Sequence, residues 1–321
     1  MSAINYSIII PHYDIPHLLM RCLSSIPNRD DVQVIVVDDK SPGCEMYLSE
    51  YPLLSRKNIE FHILKENGGG GRARNEGLKY AKGKWLIFAD ADDFFNYCFN
   101  DILDEYKNAS QDIIYFNANS IDSVTYKNSP RSGYINCKIE AYFACPEKND
   151  SILRYLWGEP WGKIVKHQFV KKYNISFGEV PIHNDSKFAY LIGYYAQSVS
   201  ADVRAMYCVT HRNNSVSRVL TDQLYFVRIR VITEAYCFLT AHGINDLPLI
   251  SDLIYETLLH FKVTHKKQCY DECVCIMESL GVDRKLIEKS IKKEFRKRRI
   301  HNRKVFFKLK ILEFLDRIIK F

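Results

Sequence analysis

Across its first 117 residues the chain alternates short apolar runs with helical stretches, and the runs are continuous rather than alternating polar and apolar. Tyr6 to Ile10, Val32 to Val37, Ile59 to Leu64, Trp85 to Ala89 and Asp112 to Phe116 read as strands buried on both faces. Between them Pro16 to Ile26, Arg72 to Lys82 (stopped by Gly83) and Phe99 to Asn108 suit helices. This order predicts an α/β fold, a doubly wound, mostly parallel sheet. Ligands bind such sheets beyond the carboxyl ends of the strands. There the sequence places Pro11-His12-Tyr13-Asp14, Asp38-Asp39-Lys40-Ser41 and Asp90-Ala91-Asp92-Asp93.

Each cluster has its own chemistry. Three carboxylates at 90, 92 and 93 repel one another unless a cation lies among them, and a hard ion, Mg²⁺ or Mn²⁺, is held by one or two carboxylates with substrate phosphate oxygens completing the shell. A solvated acidic turn is the plain alternative. Asp38-Asp39 can accept a hydrogen bond from a base or a ribose, or can cap a helix. Asn67-Gly68-Gly69-Gly70-Gly71-Arg72-Ala73-Arg74-Asn75 sets four glycines before a helix with two arginines in its first turn, suited to an anionic or uracil-like ligand or to a flexible turn. Its spacing is neither that of a dinucleotide fingerprint nor that of a P-loop. Asp185 can take the proton that a hydroxyl sheds on attacking an anomeric carbon, or can cap the helical stretch to Ala196.

Together, Ser7 to Asp14, Val34 to Ser41, Asn67 to Gly77 and Gly83 to Asp93 resemble family 2 of the inverting glycosyltransferases, whose catalytic domain has the GT-A fold. The likeness is full over about residues 5–120 and thinner to about 218. It implies that Pro11, Tyr13, Asp39 and Arg72 line a nucleotide pocket, with Asp39 reading the uracil or ribose. It places Asp90 nearer the ribose and gives Asp92 the metal that bridges the diphosphate. Trp161-Gly162-Lys163 stands where the family has Trp-Asn-Lys, so Trp161 and Lys163 are expected to contact acceptor or diphosphate. Asn184-Asp185 stands for the family's Glu-Asp, and Asp185 inherits the role of base, with His183 as a competing candidate. His211 and Arg212 are expected at the metal shell and the diphosphate.

The resemblance thus implies a UDP-sugar donor, a saccharide acceptor, free or lipid-linked, and Mn²⁺ or Mg²⁺ as cofactor. A sugar nucleotidyltransferase would carry its glycine-rich loop after the first strand, where Pro11-His12-Tyr13 stands instead. The expected organisation is a catalytic domain over 1–218, with a nucleotide half to about 117, then a helical region over 219–283 and a basic tail over 284–321.

The net charge of +7 conceals an asymmetry, because residues 284–321 carry +11 and the remainder −4. Apolar residues at spacings of three and four in the last stretch predict an amphipathic helix, fitted to an anionic membrane surface or to packing on its own domain or a second subunit. A nucleic-acid binder would spread its positive charge over the folded body and has no use for the acidic clusters, so no nucleic acid is expected. The N-terminus lacks signal-peptide features, and no apolar run reaches the ~18 residues of a membrane span, so the expected location is cytoplasmic, peripheral on the inner face of the membrane. The ten scattered cysteines are expected to be reduced.

Overall fold

The computed structural model describes residues 3–211, 221–245, 248–289 and 291–292. In chain order its first elements are β1 (Tyr6–His12), α1 (Pro16–Ser24), β2 (Val32–Asp38), α2 (Tyr47–Glu50), β3 (Ile59–Ile63), α3 (Gly69–Tyr80), β4 (Trp85–Phe88), β5 (Phe94–Phe95) and α4 (Phe99–Tyr106). There follow β6 (Ile113–Asp122), α5 (Gly133–Ala144), α6 (Pro146–Leu156), β7 (Lys163–Lys166), α7 (His167–Lys172), α8 (Ser186–Tyr195) and β8 (Val199–His211). The eight strands form one sheet in the order β3-β2-β1-β4-β7-β6-β8-β5.

The first four strands are parallel, with Tyr6 opposite Val32 and Trp85, and Val34 opposite Ile59. Their carboxyl ends therefore share one edge of the sheet. β7 runs antiparallel between β4 and β6, and β8 runs parallel to β6. β2 and β4 are buried at every position, as continuous apolar runs require, and the core extends through Tyr115, Phe116, Ile164 and Tyr207 into the second half of the sheet.

All five expected strands are present. Two parts of the chain differ from the sequence reading. Helix α3 begins at Gly69 rather than Arg72, so three of the four glycines lie in its first turn. Region 118–210, where the sequence pattern is irregular, contains the rest of β6, β7 and the 13-residue β8.

The glycines of α3 allow a close approach. A Cβ at Gly71 would lie 1.9 Å from the carbonyl oxygen of Gly178, a backbone atom that cannot rotate away. Gly71→Ala should therefore push α3 off the Gly178 loop and cost about 3 kcal/mol of stability, at the upper end for an overpacked site. A lower urea midpoint at unchanged m-value would be the signature. An unchanged midpoint would mean that the two segments do not touch in solution.

The chain divides into two compact units, Met1–Val227 and Arg228–Phe321, the division falling within helix α9 (Asp222–Ala241). In the second unit α10 (Pro248–Val263) and α11 (Lys267–Ser279) bury Leu258, Phe261, Cys273, Val274 and Met277. No helix among the described residues is long and apolar enough to cross a membrane. All ten cysteines are free thiols. The 212–220 segment, with Arg212, and the tail from residue 293 lie outside the described residues.

Candidate active site

Where β1 and β2 leave the sheet, buried polar groups lock the two exits together. His12 Nδ1 lies 2.6 Å from Asp38 Oδ2, and its Nε2 accepts the Ile15 N–H at 3.2 Å, so the ring proton points at the carboxylate. Asp38 also accepts the N–H and Oγ–H of Ser41, at 2.7 and 2.8 Å. Burial pushes the Asp38 carboxyl up, but these hydrogen bonds outweigh it and hold the group below its ordinary value. Pro11, half-buried, and Tyr13, exposed, form the rim above this lock.

Asp39 turns the other way. Its two carboxylate oxygens accept the N–H groups of Gly68 and Gly69, each at 2.7 Å, so a residue at the end of another strand caps α3. That bond explains why the helix starts inside the glycine run without a capping side chain of its own. Arg72 points outward and pairs with exposed Glu66 at 2.8 Å. Such a pair contributes little and leaves the guanidinium easy to redirect toward an anion.

The acidic turn after β4 is held mainly through its backbone. The Asp90 N–H donates to Tyr207 Oη at 2.8 Å, and the Asp92 carbonyl accepts Arg21 Nη2 at 2.5 Å and Thr210 Oγ1 at 2.6 Å. Asp93 is buried against the Thr210 N–H at 2.6 Å. Its carboxyl is pushed far up by burial first and by the charges of Asp92 and Asp90 second. Asp90 and Asp92 are half-buried. Among the described residues no three His, Cys, Asp or Glu side chains converge as a ligand set, and His211 ends β8 opposite Asp122.

Arg74 joins this turn to the far side of the cleft. From the buried face of α3 its Nη2 donates to Asp90 Oδ1 at 2.6 Å and its Nη1 to Asn184 Oδ1 at 3.0 Å, while the guanidinium lies 5.4 Å from the centre of the Phe177 ring. Asn184 immediately precedes Asp185. The Asp185 side chain makes no capping bond to α8. Its carboxyl is half-buried and pushed up by burial, with Arg74 drawing it down and Asp90 pushing it up. His183 occupies a left-handed turn position, φ +55°.

Trp161 and Lys163 are both buried. Trp161 stacks on Tyr207, ring centres 5.4 Å apart, and Lys163 Nζ donates to the Trp157 carbonyl at 3.3 Å. Only 3% and 1% of their surfaces are exposed. Burial pushes the Lys163 ammonium down to about 7, with Glu159 opposing it.

The sequence reading named Arg74 only as one of two arginines after the glycine run, without its bridge, and did not name Glu159 at all. Arg74 could have been found, because it stands three residues after Gly71 and three before Gly77, and those small residues mark the packed face of α3. Glu159 carries no signal beyond the aromatic residues and proline around it.

The family model described as Glycosyl transferase family 2 matches residues 7–177, more than half of the chain. EpsH, a putative glycosyltransferase of Bacillus subtilis, is 24% identical over 211 residues, 60% of this chain and 57% of its own. The minor teichoic acid biosynthesis protein GgaB of the same species is 36% identical over 117 residues, 32% of this chain and 12% of its own length. The chain thus spans well under two thirds of these curated relatives. A crystal structure of Staphylococcus aureus TarS residues 1–349 in complex with UDP-GlcNAc superposes with a TM-score of 0.59 at 22% identity, covering 86% of this chain and 80% of that one. A mannosyltransferase from Pyrobaculum calidifontis, in complex with GDP-Man and Mn²⁺, superposes at 0.53 with 14% identity, covering 86% and 74%. With the strand order, the acidic turn and the family match in agreement, the chain is a glycosyltransferase of family 2 with the GT-A fold.

Proposed function

We propose that the protein is an inverting enzyme that moves a hexose or N-acetylhexosamine from a UDP-sugar to a hydroxyl of a saccharide acceptor in surface polysaccharide synthesis. The observation that carries this reading is the Arg74 bridge, which couples Asp90 at the acidic turn to the residue before Asp185. Asp185 takes the proton of the acceptor hydroxyl as its oxygen attacks the anomeric carbon; the bond from that carbon to the diphosphate breaks, its electron pair leaves with the phosphate, and an α-linked donor gives a β-glycoside. Pro11, Tyr13, Asp39 and Arg72 line the nucleotide side, with Asp39 keeping a second lone pair on each oxygen.

The turn fits a hard cation, since the groups it offers are the carboxylate oxygens of half-buried Asp90 and Asp92. Mg²⁺ or Mn²⁺ would be held by Asp92, with Asp90 beside it, and would offset the charge of the leaving diphosphate. A UDP donor is supported by the likeness to TarS, and a surface-polymer acceptor by the teichoic acid and Eps relatives. The +11 charge over 284–321 supports work at an anionic membrane face.

Incubation with Mn²⁺ and a panel of nucleotide sugars tests the reading, with slow donor hydrolysis as the readout. UDP-sugars should release UDP faster than GDP- or CDP-sugars release their nucleotides. Hydrolysis confined to another nucleotide would reject the donor class, and none at all would reject the activity.

A further inference from the structure

β6 ends in a tight tip at the same edge of the sheet as the acidic turn. β7 runs antiparallel to both β4 and β6, so β4 and β6 are parallel and their carboxyl ends share one side. In the strand order, β6 and β8 lie on the other side of β4 from β1 and β2. The tip over residues 122–127 therefore flanks the acidic turn across from Pro11, Tyr13 and Asp39, the residues of the nucleotide side.

The tip is braced and tied to that turn. The Asp122 carboxylate accepts the N–H groups of Val124 and Thr125 and the Thr125 hydroxyl, at 3.1, 2.8 and 2.8 Å. The Asp122 N–H donates to the Lys127 carbonyl at 2.8 Å, and the Ser123 N–H to the His211 carbonyl at 3.0 Å. Arg21 spans the remaining gap. The guanidinium that donates to the Asp92 carbonyl at 2.5 Å lies 5.9 Å from the centre of the Tyr126 ring. One side chain thus connects Tyr126 to the residue that would hold the cation.

Two features of Tyr126 fit a ligand better than they fit the fold. Its backbone lies in the left-handed region, φ +56°, which a bulky residue occupies at a cost and which Asn takes more readily. Its side chain is 59% exposed, so packing returns little for that cost. Backbone strain of this kind persists mainly at binding edges. What the placement provides is an open aromatic face on a rigid tip. The C–H face of a pyranose packs against such a face, and a tyrosine, with two side-chain torsions, loses little freedom in meeting it.

We propose that Tyr126 is the platform on which a pyranose ring of the acceptor stacks, so that the enzyme favours sugar rings over acyclic polyols. This rests on the glycosyltransfer reading above and adds to it the side chain that recognises the acceptor.

The test gives the full chain UDP-glucose or UDP-GlcNAc with Mn²⁺, and as acceptor glycerol or the methyl β-glycosides of glucose, galactose and GlcNAc. The quantity read is the ratio of glycoside formed to donor hydrolysed, for wild type, Tyr126→Phe and Tyr126→Asn. Wild type should glycosylate at least one methyl glycoside and favour it over glycerol. Tyr126→Phe keeps the ring and should stay within about twofold of wild type. Tyr126→Asn suits the left-handed turn, so it should hold or raise the urea midpoint yet lower the ratio for that sugar about tenfold. A structural role would lower transfer and hydrolysis together, so a ratio unmoved by Tyr126→Asn overturns the proposal. A raised donor KM in place of the acceptor effect would assign the ring to the donor and overturn it too. So would wild-type protein that hydrolyses the donor yet glycosylates none of the sugars. Wild-type protein inert toward both donors overturns the functional reading, and this proposal with it.

Discussion

Asp185→Asn is expected to lower kcat by on the order of 10² to 10⁴, the usual worth of a general base, while UDP binding measured by calorimetry stays near wild type. The substitution is isosteric, and the native side chain caps no helix, so the fold has little to lose. A pH signature accompanies the loss. Burial raises the Asp185 carboxyl, so in the wild type the base is protonated and idle at pH values where an exposed aspartate is still ionised. Wild-type kcat should therefore fall as pH drops through that raised value, and this acid limb should be absent from the residual activity of the variant. Near-normal turnover would dismiss Asp185 and turn attention to His183.

Removing the cation should be comparably severe. EDTA is expected to reduce transfer about 100-fold or more, with recovery on adding Mn²⁺ or Mg²⁺, because the developing charge on the leaving diphosphate then has no divalent counterpart. Asp92→Ala should weaken UDP binding when metal is present and leave metal-free binding unaltered, a difference that calorimetry with and without Mn²⁺ resolves. Full activity in chelator would refute the cation site, and equal losses of binding in both conditions would assign Asp92 a direct contact to the nucleotide.

What could be read from the sequence follows from how far each determinant reaches. β1, β2 and β4 were recognisable because burial on both faces leaves continuous apolar runs. β8 was not, since Ser200, Asp202 and Arg204 break any such pattern, and its residues find their partners across the sheet in β6, Glu105 and Tyr106. The start of α3 was misplaced for a similar reason, its capping carboxylate arriving from Asp39 rather than from a neighbouring position. The acidic turn and Asp185 were singled out through the order of motifs. The Arg74 bridge and Glu159 join segments about a hundred and about 25 residues apart, contacts that local spacing does not encode.

The filled start of α3 has a wider consequence. Backbone amides at the head of a helix hold any anion alike, whatever side chains surround them, and here the two foremost amides already hold the protein's own carboxylate. On the proposed reading, a nucleotide diphosphate arriving at this edge finds these two amides taken and is left to the side chains of the rim and a recruited ion. Recognition built on exchangeable parts can be retuned one residue at a time without disturbing the backbone that supports it. On that reading the choice of donor is a property of the surface lining, and the sheet beneath can stay constant while that choice changes.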